Sequence, residues 1–123
     1  MAIERTREIK RAQKESLIFK ELSQLLLQLS MDEPALGQLY INRVKLSPDK
    51  SSCTIYFYSP LGEEDFRKKL GILILYKPSL RTALAKTLAS RYTPELIFAF
   101  DKQFEKQQRI EALIDKVKAE DKL

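Results

Sequence analysis

The spacing of apolar residues changes near residue 38, and this change limits the folds open to the chain. Upstream, the apolar residues recur at spacings of four, three and four, which predicts one face of a helix over about residues 7–30. That face is formed by Ile18, Leu22, Leu25 and Leu29. Downstream, over residues 38–59, apolar and polar residues alternate, as in a half-buried strand. The chain therefore combines a long helix with a sheet.

The alternating segment contains a change of parity that predicts a β-bulge. Its apolar positions form an odd-numbered pair and then an even-numbered pair, namely Leu39 and Ile41, followed by Val44 and Leu46. One extra residue near Asn42 and Arg43 would return both pairs to one face of the sheet. Turn-forming residues follow at positions 47–50 before the alternation resumes. The segment therefore predicts a β-hairpin with a bulge in its first strand.

Helices and one further strand are predicted in the second half of the chain. Residues 72–76 are typical of a buried strand, whereas the acidic residues at 63–65 are typical of a helix start. Pro78 is well placed as the first residue of a new helix, because proline forces the residue before it out of the helical region. Pro94 begins a third strand, and an amphipathic helix follows it. If residues 63–76 are helical, the order is helix, strand, strand, helix, helix, strand, helix.

Two residue counts restrict the chemistry that this chain can perform. Histidine is absent from the 123 residues, and Cys53 is the only cysteine. A disulfide framework and the usual zinc sites are thereby excluded, and the commonest general base is missing. We therefore expect no enzymatic activity, no cofactor and no metal. Cys53 lies on the apolar parity of its strand, which favours a small buried residue over a reactive thiol.

The length fits one domain, which we place at residues 1–123. No apolar run approaches the roughly 20 residues that a membrane span needs. The N-terminal residues mix acidic and basic side chains, unlike a secretory or transit peptide. We therefore expect a cytoplasmic protein that does not act at a membrane.

Positive charge is concentrated in one segment of the chain. The formal net charge is +5, yet residues 66–92 carry seven basic residues and no acidic residue. They are Arg67, Lys68, Lys69, Lys77, Arg81, Lys86 and Arg91. A segment of one sign suits a polyanion such as nucleic acid, although a solvated helix face has the same composition.

The C-terminal third resembles a known family. It contains Pro94-Glu95-Leu96, an apolar strand to Phe100, Asp101, Phe104-Glu105, and Arg109-Ile110 before Leu113-Ile114. Matching residues upstream are Glu21-Leu22, Leu25-Leu26, Pro34, Leu36-Gly37, Ser47, Asp49, Leu80-Arg81, Leu84 and Lys86. On this pattern the chain is similar to the ribosome-binding factor A family over nearly its whole length.

The resemblance implies an α+β, KH-like fold of the bacterial type II, with a three-stranded sheet and helices on one face. It implies a single RNA-binding domain with residues 103–123 as a C-terminal helical extension. It also implies a helix, not a strand, at residues 72–76. The expected partners are 16S rRNA and the free small (30S) ribosomal subunit during late maturation, and we expect a monomer off the ribosome.

The family joins a pair of helices through an Ala-x-Gly kink in place of the Gly-x-x-Gly loop of ordinary KH domains. Here the corresponding residues are Tyr76, Lys77 and Pro78. Proline can keep the bend but prevents a close approach of the backbone to RNA. The main candidates for RNA contacts are Lys77, Arg81, Lys86 and Arg91. The secondary candidates are Arg43, Lys45, Arg5, Arg7 and Lys10.

Three functions are compatible with these features. The first is a non-catalytic factor in ribosome biogenesis and rRNA processing that prefers the immature rRNA conformation. The second is a generic KH-type RNA-binding protein without a ribosomal role, and the third is a small basic adaptor for an acidic protein.

Overall fold

The computed structural model of the chain describes residues 2–89 and 91–121. Within these residues, three long helices and a three-stranded sheet follow the predicted order, except that one helix stands where two consecutive helices were predicted. The elements are α1 (Ala2–Asp32), a 3₁₀ turn (Pro34–Leu36), β1 (Tyr40–Leu46), β2 (Ser52–Tyr58), α2 (Glu63–Leu88), β3 (Glu95–Phe100) and α3 (Lys102–Asp121). This architecture confirms the α+β, KH-like fold class.

The sheet has the order β1-β2-β3, with β2 at its centre. β1 and β2 form the predicted antiparallel hairpin. β3 lies parallel to β2, and α2 supplies the long connection that a parallel pair requires. The inward side chains of the strands pack with those of α1 and α2 in one core. Its fully buried members include Ile18, Leu36, Ile55, Leu73, Leu84 and Leu96.

The predicted β-bulge is present in β1. Ile41 is paired with Phe57 and Arg43 with Tyr56, so Asn42 is the extra residue. As a result, both Val44 and Leu46 are buried in the core, as their parity required. Cys53 on the neighbouring strand is fully buried, and this burial raises the pKa of its thiol to about 12. The interpretation of Cys53 as a packed core residue is therefore confirmed.

The helix boundary predicted at Pro78 is wrong. α2 continues from Glu63 to Leu88 without interruption, and both Lys77 and Pro78 lie inside it. Proline lacks the N–H that would bond the carbonyl of Ile74, but buried Leu73 and Leu80 on either side keep both halves of the helix against the core. Packing therefore overrides the local effect of the proline. Whether the helix bends at residues 76–78 stays a prediction.

The remaining elements are close to their predicted places. α1 is longer than expected at both ends, and β3 begins one residue after Pro94. α3 is helical as predicted, but the apolar residues that mark it are between 47% and 63% exposed. They are Ile110, Leu113, Ile114 and Val117. Along the described ranges, no helix is long and apolar enough to cross a membrane.

Candidate nucleic-acid interface

Residues 66–92, which we call the acid-free segment, divide into a half in which two of the three basic residues pair with carboxylates and a half in which none of the described basic residues does. In the first half, Nη2 of Arg67 lies 3.4 Å from Oε1 of Glu63, and Nζ of Lys69 lies 2.8 Å from Oδ2 of Asp65. In the second half, no ion pair between described residues involves the basic side chains. These are Lys77, Arg81, Lys86 and Arg91. Most of the uncompensated charge therefore lies in the C-terminal half of the segment.

Two shallow depressions meet on the outer side of α2. The first has a volume of about 440 Å³ and is lined by Lys77, Pro78, Arg81, Thr82, Ala85 and Thr93. The second, of about 380 Å³, is lined by Pro78, Ser79, Thr82, Ala83 and Lys86. No acidic residue lines either depression. We call the surface formed by Lys77, Pro78, Arg81, Thr82 and Lys86 the Pro78 surface.

Helix geometry explains why these residues meet. With about 3.6 residues per turn, Pro78 and Thr82 lie almost directly above one another along α2. The same geometry places Lys77 and Arg81 on one side of this line and Lys86 on the other. The hydroxyl of Thr82 donates a hydrogen bond to the carbonyl of Pro78 (3.0 Å), so this hydroxyl is not free to donate to a ligand. Positive side chains therefore flank a low, uncharged ridge.

Contacts with β3 and the segment before it orient two of the three basic side chains. Nζ of Lys77 lies 5.1 Å from the centroid of the Phe98 ring, a cation–π contact. Nη2 of Arg81 donates a hydrogen bond to the carbonyl of Thr93 (3.1 Å). Lys86 is exposed. Lysine and arginine side chains held this way suit phosphate oxygens, which carry most of the affinity in nucleic-acid binding.

The other predicted RNA-binding residues lie elsewhere. Arg91 lines neither depression, and its guanidinium lies 5.5 Å from the centroid of the Tyr92 ring. Arg43 and Lys45 lie on β1 and line a separate depression of about 510 Å³ together with Arg11 and Glu15. The three basic residues of the first turns of α1 are exposed and also lie outside the Pro78 surface. They are Arg5, Arg7 and Lys10.

Sequence reasoning missed the contact that holds Arg43 in place. Asp101, only 1% exposed, accepts hydrogen bonds from Nδ2 of Asn42 (2.8 Å) and Nε of Arg43 (2.9 Å), both at Oδ2. Its other oxygen accepts the backbone N–H of Phe104 (3.1 Å) and so caps α3. Asp101 is 58 residues from Arg43 in sequence, so no local spacing could have indicated the contact. In the sequence, Asp101 appeared only as part of the family pattern, between the predicted third strand and the predicted last helix.

Comparisons with known proteins agree with this structure. A family model described as ribosome-binding factor A matches residues 10–114. A ribosome-binding factor A of Citrifermentans bemidjiense is 31% identical over 104 residues, covering 85% of this chain and 87% of the relative. The crystal structure of ribosome-binding factor A from Thermus thermophilus superimposes with a TM-score of 0.61 at 27% identity, over 72% of this chain and 93% of that one.

A third comparison concerns a structure of the same kind in a complex. It is a homology model of the Thermus thermophilus ribosome-binding factor A fitted into a cryo-electron-microscopy map of its complex with the 30S subunit. The TM-score is 0.52 at 28% identity, over 72% of this chain and 88% of the other.

Proposed function

The chain belongs to the ribosome-binding factor A family, and from this premise we propose that it binds the small ribosomal subunit through 16S rRNA during late maturation. The observation that carries this proposal is the Pro78 surface. It contains three basic residues, and no acidic residue lines its two depressions. Contacts with Phe98 and Thr93 orient two of these three basic side chains. The relative fitted into a complex with the 30S subunit supports the choice of partner.

The proposed contacts on this surface are to the RNA backbone. The charges of Lys77 and Arg81 lie on one side of Pro78, and the charge of Lys86 lies on the other side. An RNA strand that crosses Pro78 would therefore meet positive charge on both sides of it. The proline supplies no backbone N–H, so a close contact between the helix backbone and a phosphate does not form there. Side chains therefore supply the affinity in place of a Gly-x-x-Gly loop. Arg91, Arg43, Lys45 and the basic residues of α1 would add contacts if RNA extends beyond the Pro78 surface.

We propose that the protein acts by binding one RNA conformation more tightly than another, and not by catalysis. A bound factor shifts an equilibrium between two RNA conformations only by the ratio of its affinities for them. It must therefore bind the immature conformation more tightly, and it leaves when the mature conformation dominates. A tenfold preference corresponds to about 1.4 kcal/mol, which the loss of one or two phosphate contacts could supply.

The contacts of two acidic residues in the first turn of α2 support a role without catalysis. Asp65 accepts a hydrogen bond from Ser59 (2.6 Å) and pairs with Lys69. Glu63 pairs with Arg67 and, at 3.6 Å, with Lys102. These groups are occupied in separate ion pairs and do not converge on a shared position, as a pair of catalytic carboxylates would.

Sedimentation of a cell extract tests the proposal. We expect the protein to migrate with free small subunits and to be depleted from whole ribosomes. A uniform distribution in the soluble fractions would contradict the proposed function. Nuclease treatment of a captured complex then separates the alternatives, because an adaptor for an acidic protein keeps its partner while an RNA-binding protein loses it. We further propose that the protein works in the cytoplasm and is a monomer when it is off the ribosome.

A further inference from the structure

The β-bulge in β1 moves an arginine onto the outer face of the sheet, at the edge strand whose depressions also include residues of α1. Because Asn42 is the extra residue, Arg43 is paired with Tyr56, and neither side chain points into the core. Bulges often redirect a side chain beside a functional site. Lys45, two residues further along the same strand, is exposed on the same face.

Two contacts fix the guanidinium of Arg43. Its Nε donates to the buried carboxylate of Asp101 at 2.9 Å, and its central carbon lies 4.1 Å from the centroid of the Tyr56 ring. The first contact is made at the edge of the guanidinium and the second at its face. Asp101 is itself held by Asn42 and by the first turn of α3. The plane of the guanidinium is therefore set before any ligand binds.

The remaining surface of this guanidinium is available. The side chain of Arg43 is 45% exposed, and across the two described ranges no acceptor bonds its terminal nitrogens. Tyr58, two residues beyond Tyr56, is covered by Phe104 with ring centroids 4.8 Å apart. Among the described residues, the ring of Tyr56 is in contact with the guanidinium of Arg43 and with no other ring. The carboxylate that shares a depression with Arg43 belongs to Glu15, which lies 4.0 Å from Arg11.

We infer that Arg43 and Tyr56 form a stacking platform for one unpaired nucleobase of the bound RNA, with Lys45 beside it for the adjoining phosphate. This inference rests on the proposed function, since it assumes that the protein binds RNA. Nucleobases stack on arginine planes and on aromatic rings, and they can do so only where the base is not paired in a duplex. A fixed guanidinium loses little conformational freedom when the base arrives.

The platform lies on a different element from the Pro78 surface. The former is on β1 and β2, and the latter is on α2 with Thr93 at its edge. The two surfaces predict different chemical behaviour. Binding at the Pro78 surface depends on charge and therefore on salt, whereas binding at the platform depends on the flat shape of the guanidinium.

The test compares Arg43→Lys with Arg109→Lys, two substitutions that keep the charge and remove the plane. Arg109 is a matched control because it is also bonded to one carboxylate, Glu105, at 3.1 Å, but lies on exposed α3. The probe is a short single-stranded RNA with 2-aminopurine at one position, and a duplex of the same length serves for comparison. We expect Arg43→Lys to weaken binding of the single strand by about fivefold or more and to reduce 2-aminopurine quenching. Duplex affinity and the salt dependence should not change.

A second variant, Tyr56→Leu, keeps the contact between Arg43 and Asp101 and removes the ring, so it serves if Arg43→Lys fails to fold. Single-stranded affinity equal to that of the Arg109→Lys control, in either folded variant, would overturn the platform. Loss of small-subunit binding without any loss of RNA affinity would also overturn it, because the surface would then bind a ribosomal protein. If the unmodified protein binds neither RNA probe nor the small subunit, the proposed function itself fails.

Discussion

Nζ of Lys69 donates a hydrogen bond to the carbonyl oxygen of Gly37 at 2.6 Å, across 32 residues of sequence. The same ammonium lies 2.8 Å from Oδ2 of Asp65, and the Lys69 side chain is only 13% exposed. This contact joins α2 to the turn that follows α1. One of the seven basic residues in the acid-free segment is therefore part of the fold and not of an RNA-binding surface.

Replacing Lys69 with Gln should destabilise the protein by about 1–3 kcal/mol, because it leaves the carbonyl of Gly37 and the carboxylate of Asp65 without their shared partner. Lys68→Gln is the matched control, since Lys68 is exposed and adjacent. It should change the free energy of unfolding by no more than about 0.5 kcal/mol. Urea unfolding of both variants measures the difference. Equal stabilities would show that the Lys69 contact contributes nothing.

Pro78 lies inside α2, so Pro78→Ala should stabilise the protein. Alanine restores the N–H that bonds the carbonyl of Ile74 and removes the steric conflict of the proline ring. The intrinsic difference is about 3 kcal/mol in a regular helix, and we expect about 1–3 kcal/mol because the surrounding structure already accommodates the proline. Thermal and urea unfolding provide the measurement.

Ser79→Ala, at the next and exposed position, is the control for helix propensity alone and should gain at most about 0.5 kcal/mol. If the proline bends α2 and so positions Lys77 and Arg81, Pro78→Ala should bind the small subunit more weakly although it is more stable. A loss of stability in Pro78→Ala would contradict our account of this position.

The sequence was sufficient for the features that local pattern controls. The parity change between Ile41 and Val44 predicted the bulge, because a strand exposes alternate residues to one face and only an insertion restores that relation. The helical spacing from Ile18 to Leu29 predicted α1, because residues three and four positions apart lie on the same face of a helix. Resemblance to a family was needed for residues 72–76, where a short apolar run suits either a buried helix or a buried strand.

Features that depend on distant contacts were not predictable. Local chemistry favours a helix boundary at Pro78, but burial of Leu73 and Leu80 maintains one helix through it. Lys69 and Lys86 are both lysines of the acid-free segment, and the sequence alone does not distinguish them. In the structure, Lys69 donates a hydrogen bond to a carbonyl 32 residues away. Asp101 was noticed as part of a family pattern, while its hydrogen bonds to the bulge at Asn42 and Arg43 depend on the pairing of the strands.

Acid should destabilise the protein through Asp101. Burial acts to raise the pKa of this carboxyl, but the hydrogen bonds from Asn42, the N–H of Phe104 and Arg43 outweigh it and lower the pKa below the ordinary 3.8. The unfolded state therefore binds the proton first as the pH falls. The stability contributed by Asp101 is full above about pH 4 and is lost as the pH falls through the lowered pKa of the folded state.

The measurement is the free energy of unfolding of the unmodified protein and of Asp101→Asn between about pH 6 and pH 3. The variant should be less stable at the upper end, and the difference should shrink towards the lower end, because Asn does not titrate. Asp65, whose pKa is lowered first by its hydrogen bond from Lys69, remains in both proteins and contributes equally. A difference that stays constant over the whole range would contradict the assignment.

The central claim is that the Pro78 surface binds the phosphates of small-subunit RNA, and salt dependence tests it most directly. The variant Lys77→Gln, Arg81→Gln, Lys86→Gln is compared with a control that removes three exposed lysines elsewhere, Lys20→Gln, Lys116→Gln, Lys118→Gln. Affinity for purified immature small subunits is measured over a series of salt concentrations, with unfolding curves to verify the fold. We predict that the slope of log affinity against log salt falls by about two to three units in the first variant and by less than about one in the control. Equal slopes in the two variants would contradict the claim.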